Sequence, residues 1–215
     1  MKNWYSFYSE RERSTTTVGF ASSIFYHLAY ICTILRYRPK RVLEVGCGRG
    51  VTSVFLSFFV PLCVGIDLEP DMVTLARRSN KKFHGRAHFY IMNGKKTSFS
   101  NNAFEIVCSQ GLLEHYDDKE VMDFIEEWLR VAPACVISVP SKEYGRKEFG
   151  NERLLTIQDY EKILKRYRVT CFYYGFLPHE RSFSARNFLS IYKAFNPRKY
   201  RSQIVLTIKR DACAT

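Results

Sequence analysis

A short glycine-rich stretch places the strongest limit on how this chain folds. The stretch Val42-Leu-Glu-Val-Gly-Cys-Gly-Arg-Gly50 begins with aliphatic residues and ends with three glycines at alternate positions. The apolar run predicts a short buried strand. The glycines let the backbone turn sharply and approach a ligand without a Cβ in the way. Residues 51–59 have the length and apolar face of a helix, so the stretch predicts the opening of an α/β unit.

The rest of the chain continues the alternation. Strands are predicted at residues 62–67, 87–92, 104–109 and 134–139, and helices at 71–82 and 117–131. Repeated β-α-β units indicate a parallel sheet with helices on both faces, whose ligands sit at the carboxyl ends of the strands. Thr156 can cap a helix reaching Lys165, and two more strands are predicted at 168–176 and 203–209. The predicted class is a doubly wound α/β fold, mostly parallel, with an antiparallel C-terminal strand.

The length of 215 residues favours a single domain. Its expected parts are an N-terminal lid or helix region at 1–38, a ligand-binding core at 39–140, and a C-terminal part at 141–215. The last part contains an insertion at 177–201, with a helical-looking stretch at 188–195, placed over the substrate side. The apolar stretch from Val18 to Leu35 predicts a buried amphipathic helix packed on the domain, in preference to a membrane span.

Composition limits the possible binding partners of this chain and its possible cellular compartment. The chain is 46% hydrophobic and 25% charged, which excludes a disordered or fibrous protein. Its net charge is +12, and residues 142–215 carry 16 of the 33 lysines and arginines against seven acids. Such a surface attracts anions, nucleic acid among them. Seven cysteines without any C-x-x-C pair argue against a disulfide framework and against a zinc site, so no metal is expected and the cytoplasm is the predicted compartment.

The spacing of the glycines separates the possible nucleotide-binding folds. A dinucleotide fingerprint needs Gly-x-Gly-x-x-Gly, but Val51 stands where its third glycine belongs, and no Gly-Lys-Ser/Thr ending is present for a P-loop. The pattern Glu-x-Gly-x-Gly-x-Gly after a strand instead resembles motif I of the class I S-adenosylmethionine-dependent methyltransferases. The resemblance extends in order over residues 40–140. It implies a Rossmann-like methyltransferase sheet with S-adenosyl-L-methionine as the cofactor.

The resemblance also implies which residues bind the cofactor. Glu44 and the loop residues Gly46, Cys47 and Gly48 would lie beside its methionine part, where a carboxylate suits an ammonium and a sulfonium. Asp67 would accept hydrogen bonds from both ribose hydroxyls, and Leu68 would lie beside it in the cofactor site. The alternatives are a solvated charge for Glu44 and a helix-capping carboxylate for Asp67.

Two more segments complete the implied cofactor site. Asn93 and Gly94 would meet the adenine, with Asn93 replacing the usual Asp, although Asn-Gly is also a common turn pair. Ser109 and Gln110 follow the fourth strand. In that strand Glu105 replaces another usual Asp, a second departure from the family pattern.

The sequence gives weaker indications of which residues contact the methyl acceptor. His115 is the candidate general base, with an orienting role as its alternative, because its pKa lies near neutral and it follows the fourth strand. Glu114, Tyr5 and Tyr8 are candidate acceptor-side residues, the tyrosines on an aromatic start that could form a lid or pack on the core. Arg181 in the insertion would suit an anionic group on the acceptor.

Three functions fit these observations. The first is a methyltransferase that moves a methyl group to a small-molecule acceptor by in-line displacement. The second is an RNA methyltransferase, favoured by the basic C-terminal third, although the chain lacks an Asn- or Asp-Pro-Pro-aromatic run after the fourth strand. The third is a partner subunit that binds the cofactor without catalysis. Neither the acceptor, the methylated atom nor the oligomeric state follows from the sequence.

Overall fold

A single seven-stranded sheet forms the centre of the molecule. The computed structural model describes residues 16–145, 147–175 and 201–210. The strand order is β3-β2-β1-β4-β5-β7-β6, and β7 alone runs antiparallel to its neighbours. The fold class predicted from the sequence is therefore confirmed. The strands are β1 Arg41–Val45, β2 Leu62–Asp67, β3 His88–Ile91, β4 Ile106–Gln110, β5 Ala134–Pro140, β6 Arg168–Tyr174 and β7 Gln203–Lys209.

Helices cover both faces of this sheet. They are α1 Thr17–Tyr26, α2 Leu28–Arg36, α3 Val51–Leu56, α4 Pro70–Lys82, α5 Asp118–Val131 and α6 Ile157–Ile163, with 3₁₀ turns at Leu113–His115 and Lys142–Tyr144. One hydrophobic core lies between the sheet and α5 with α6, around Trp128 and Phe124. The other lies between the sheet and α1 to α4, around Ile31, Val73 and Phe89.

The sequence correctly predicted where two of the helices begin. Asp117 accepts a hydrogen bond from the backbone N–H of Glu120 (2.8 Å), and the Glu120 side chain reaches back to the Asp117 N–H, so α5 begins with a complete capping box. Thr156 and Asp159 form the same box on α6. Both helices begin where the sequence predicted, because a capping box depends on local contacts.

Two predicted helices needed correction. The helix expected from Val18 to Leu35 is two helices, α1 and α2, which meet at His27 at an angle of 66°. The break coincides with a tertiary contact, since His27 Nδ1 lies 2.7 Å from the Tyr174 hydroxyl on β6. Helix α3 ends at Leu56 instead of residue 59, where Arg86 binds the Ser57 carbonyl oxygen (2.8 Å).

No single helix within residues 16–145, 147–175 and 201–210 is long and apolar enough to cross a membrane. Helices α1 and α2 pass that test of length and composition only as a bent pair. Ile24, Tyr30, Ile31 and Ile34 of these helices are buried against the domain. The predicted lid residues 1–15 and the predicted insertion, apart from Arg201, lie outside the described residues.

Candidate active site

The strand order creates a crevice at the carboxyl edge of the sheet. The chain winds outward from β1 through β2 to β3, and then crosses back to β4 on the other side of β1. Ligands in doubly wound folds bind at such a reversal. A cavity of about 340 Å³ opens there, within the size range of small-molecule sites. Its lining comes from the ends of β1 to β4 and from α4 and α5: Val45, Gly46, Gly48, Asp67, Leu68, Glu69, Met72, Met92, Asn93, Gly94, Lys95, Gln110, Gly111, Leu112, Tyr116 and Phe124.

The glycine loop after β1 forms one wall of this cavity. Gly46, Gly48 and Gly50 all have φ between 51° and 73°, a left-handed conformation that favours glycine. A Cβ on Gly50 would lie 2.7 Å from the Phe89 ring, whereas a Cβ on Gly48 would meet only Met72, at 3.8 Å. Gly50 therefore allows the loop to pack against Phe89. Gly48 lines the cavity without placing a Cβ in it.

Asp67 joins the glycine loop to the end of β2. Its Oδ2 accepts a hydrogen bond from the Gly48 N–H (2.9 Å), and its Oδ1 accepts one from the Glu69 N–H (3.1 Å). Burial raises the pKa of Asp67, and these hydrogen bonds partly offset that rise. Helix α4 begins at Glu69 as its N-cap, without a side-chain cap. The alternative of Asp67 as the capping residue is therefore wrong, and the carboxylate lines the cavity instead.

Three residues of the predicted cofactor set do not line the cavity. Glu44 is buried beneath the loop, where it accepts a hydrogen bond from the Ser53 N–H (2.9 Å), and burial raises its pKa to about 7. Its alternative as a solvated charge is wrong. Cys47 is buried in the core between the sheet and helices α1 to α4. The Ser109 hydroxyl donates a hydrogen bond to the Val45 carbonyl oxygen (2.8 Å). These three side chains stabilise the loop and β1 without lining the cavity.

Asn93 and Gly94 shape the end of the cavity at β3. The Asn93 side-chain oxygen accepts a hydrogen bond from the Lys95 N–H (2.9 Å), as in an Asx turn. The Gly94 carbonyl oxygen accepts from Trp128 Nε1 (3.0 Å), and a Cβ on Gly94 would lie 2.3 Å from Val45. Asn93 is exposed at the rim, while Gly94 is buried in the wall.

Sequence reasoning missed several lining side chains. Leu112 lies over Gly46, at 3.1 Å from the place of a Cβ on that glycine. Tyr116 packs edge-on against Phe124, at 4.8 Å between ring centroids, and Lys95 Nζ lies over the Tyr116 ring at 5.3 Å. Phe124 lies on the buried face of α5 and also lines the cavity. The sequence held one signal that could have found Leu112 and Tyr116. These two residues lie on either side of the Leu-Glu-His segment after β4.

His115 and Glu114 follow β4 but lie outside the cavity lining. His115 Nδ1 is 2.6 Å from Asn151 Oδ1, and its Nε2 is 3.9 Å from Glu114 Oε1. Burial lowers the pKa of His115, which favours the neutral ring. Burial raises the pKa of Glu114 to about 8. The other acceptor-side candidates, Tyr5, Tyr8 and Arg181, lie outside the described residues.

Comparison with known proteins agrees with the family resemblance. Residues 42–133, which contain the glycine loop, Asp67 and Asn93, match a family model described as a methyltransferase domain. This match supports a class I S-adenosylmethionine-dependent methyltransferase. The chain is 27% identical over 132 residues to ajmaline N-methyltransferase of Rauvolfia serpentina, covering 60% of this chain and 44% of that protein.

Another curated relative and a solved structure agree. The chain is 34% identical over 99 residues to the chloroplastic tocopherol O-methyltransferase of Arabidopsis thaliana, a match that covers 43% of this chain and 27% of that enzyme. It spans less than half the length of these curated relatives. A crystal structure of a SAM-dependent methyltransferase from Aquifex aeolicus superimposes with a TM-score of 0.65 at 17% identity, covering 97% of this chain and 98% of that one. That structural likeness concerns the fold.

The cavity fits the cofactor that this family uses. Gly48 places no Cβ in the cavity, and Asp67 presents two carboxylate oxygens whose hydrogen bonds leave further lone pairs. A pair of accepting oxygens suits a vicinal diol. The cavity lining also includes the rings of Tyr116 and Phe124 and the thioethers of Met72 and Met92, an apolar surface that suits the flat adenine.

Proposed function

We propose that this methyltransferase moves a methyl group from S-adenosylmethionine to an oxygen or nitrogen of a small-molecule acceptor. The observation that carries the proposal is the junction of Asp67 with the glycine loop at the sheet's topological switch point. The names of the curated relatives, an N-methyltransferase of ajmaline and an O-methyltransferase of tocopherol, support a small acceptor. Nothing in these comparisons supports an RNA substrate or a non-catalytic partner role.

The cofactor residues divide between direct contact and support. Asp67 would hold the ribose, Gly46 and Gly48 the methionine part, and Asn93 with Gly94 the adenine. Leu68 and Gln110 would complete the contacts, since both line the cavity. Three residues would stabilise the site without contacting the cofactor, because they pack against the loop and β1 or hydrogen-bond to them: Glu44, Cys47 and Ser109.

Bound S-adenosylmethionine supplies a methyl group that its sulfonium already activates. The protein therefore mainly has to align the methyl acceptor and exclude water, and alignment alone contributes about 7–11 kcal/mol in well-oriented reactions. Leu112 and Tyr116 cover the cavity with apolar surface. We assign His115 the orienting role, since Asn151 and Glu114 face its two ring nitrogens and the ring does not line the cavity.

The domain arrangement extends the same proposal. Residues 1–38 would close over the acceptor side, 39–140 would hold the cofactor, and 141–215 would complete the acceptor site, with the insertion at 177–201 over it. Tyr5, Tyr8 and Arg181 would then meet the acceptor, and an anionic group on it would suit the basic C-terminal part. The cytoplasm is the proposed compartment, because the chain is rich in unpaired thiols.

Calorimetric titration of S-adenosylmethionine into wild-type protein and Asp67→Ala tests the proposal. Binding that is micromolar in the wild type should fall by at least tenfold in the variant, because two hydrogen-bonded carboxylate oxygens are lost. Asp71→Ala is the matched control, since that exposed carboxylate lies in the first turn of α4 and outside the cavity. Absence of binding to folded wild-type protein would refute the proposed function.

A further inference from the structure

The cofactor cavity uses only part of the carboxyl edge of the sheet. Its lining comes from the ends of β1 to β4, with Gln110 as its outermost strand residue. The neighbouring strands β5, β7 and β6 continue the same edge with a row of polar side chains, Ser138, Gln203 and Tyr174. We call these three residues the polar row.

Strand register places the polar row on the face that α1 and α2 cover. Ser138 pairs with Gln110 of the cavity, and Gln203 pairs with both Pro140 and Tyr174. Tyr174 packs in the core beside α1 and α2 together with Val205, and residues two apart on a strand face the same side, so Gln203 faces that side too. The row therefore begins at the strand neighbour of Gln110, next to the cofactor cavity.

Hydrogen bonds fix most of this row. The Tyr174 hydroxyl lies 2.6 Å from Ser138 Oγ and 2.7 Å from His27 Nδ1. These contacts hold the break between α1 and α2 over the ends of β5 and β6. Ser138 and Tyr174 are buried and His27 is half-buried, so these hydrogen bonds fix the side chains before any ligand arrives.

Gln203 stands out within the row. Its side-chain oxygen Oε1 is buried and has no hydrogen-bond partner, and the residue is only 4% exposed. Its Nε2 is 3.5 Å from the Tyr26 hydroxyl, which itself lies 2.9 Å from Ser202 Oγ. Gly175 packs tightly beside them, since a Cβ there would lie 2.8 Å from Ser202 Oγ and 3.2 Å from Gln203 Cγ. A buried oxygen without a donor is costly to a folded protein, so this one marks a place for a donor from outside.

We propose that the methyl acceptor binds along the polar row and donates a hydrogen bond from a hydroxyl or amine group to Oε1 of Gln203. The inference rests on the proposed function, because it extends the cofactor cavity into an acceptor site. It also names the acceptor's chemistry, an O–H or N–H donor next to apolar surface. An acceptor without such a donor would leave Gln203 unsatisfied and bind about fivefold more weakly.

A pair of probes that differ in one donor tests this assignment. Phenol and anisole are titrated separately into ¹⁵N-labelled protein saturated with S-adenosylhomocysteine, while the side-chain amide signals of glutamine are followed by NMR. Gln203→Met identifies the Gln203 signal by its disappearance and removes the oxygen at nearly constant length. Gln158→Met is the matched control, since Gln158 is exposed on α6. The far-ultraviolet circular dichroism and melting temperature establish that both variants are folded.

Phenol should shift the Gln203 signal and leave Gln158 unchanged, and anisole should bind at least about fivefold more weakly. Gln203→Met should abolish this preference without changing the affinity for S-adenosylhomocysteine. An unmoved Gln203 signal, or equal binding of phenol and anisole, would overturn the acceptor site while leaving cofactor binding intact. Lack of any response to S-adenosylhomocysteine would instead count against the proposed function itself.

Discussion

Two glycines of the loop after β1 should respond very differently to the same substitution. Gly48 and Gly50 both have positive φ, 51° and 73°, so alanine strains the backbone at either site. A Cβ at position 50 would lie 2.7 Å from the Phe89 ring and 2.9 Å from the Cβ of Ala76, whereas one at position 48 would lie 3.8 Å from Met72. The two contacts at position 50 are clashes, and the contact at position 48 is an ordinary one.

The magnitudes follow from these two contributions. Left-handed backbone costs an L-residue about 1–2 kcal/mol. Overpacking a buried site adds about 1–3 kcal/mol. Gly48→Ala should therefore lower the free energy of unfolding by about 1–2 kcal/mol, and Gly50→Ala by about 2–5 kcal/mol. Cofactor affinity should show the reverse order, because Gly48 lines the cavity and Gly50 does not.

Urea unfolding followed by circular dichroism measures the stabilities, and calorimetry of S-adenosylmethionine on the folded variants measures the affinities. Gly48→Ala should lose the larger part of its affinity at a modest cost in stability, and Gly50→Ala should do the opposite. Equal destabilisation by the two substitutions would refute the packing role of Gly50. Equal affinity in Gly48→Ala and wild type would refute the role of Gly48 in the cavity wall.

Three further substitutions test other parts of the site. Asn93→Asp should tighten S-adenosylmethionine binding by about two- to tenfold in calorimetry, because a charged oxygen accepts a stronger hydrogen bond; weaker binding would contradict the assigned contact with adenine. Burial raises the pKa of Glu114 to about 8, so the folded state holds its proton from about pH 4.5 to 8, and stability falls as pH rises through this window. Glu114→Gln should therefore become more stable relative to wild type between pH 5 and 8.5 in urea unfolding, and a constant difference would contradict the burial argument. Trp128→Phe should cost at least about 1 kcal/mol by losing the hydrogen bond to Gly94, and a neutral change in unfolding free energy would contradict it.

The local features of this chain were readable in advance. The glycine loop, the β-α alternation and the capping boxes depend on neighbours within a few residues, and the strands from β1 to β5 lie within two residues of their predicted ends. Asp67 and Gly48 were each predicted to contact the cofactor because of the family resemblance, and the structure joins them by one hydrogen bond that the sequence did not reveal. His115 was predicted from its place in sequence, which did not reveal that its ring faces Asn151.

By itself the sequence determined the order of strands and helices and the location of the nucleotide-sized crevice, because hydrophobic period, turn chemistry and caps are encoded locally. The tertiary structure decided which side chains face the crevice. Glu44 and Gly46 are two residues apart, yet one binds Ser53 in the interior and the other lines the cavity. It also brought together Ser138, Tyr174 and Gln203 from three strands distant in the chain. Such contacts arise from sheet register and from the insertion of β7 between β5 and β6, which no local pattern specifies.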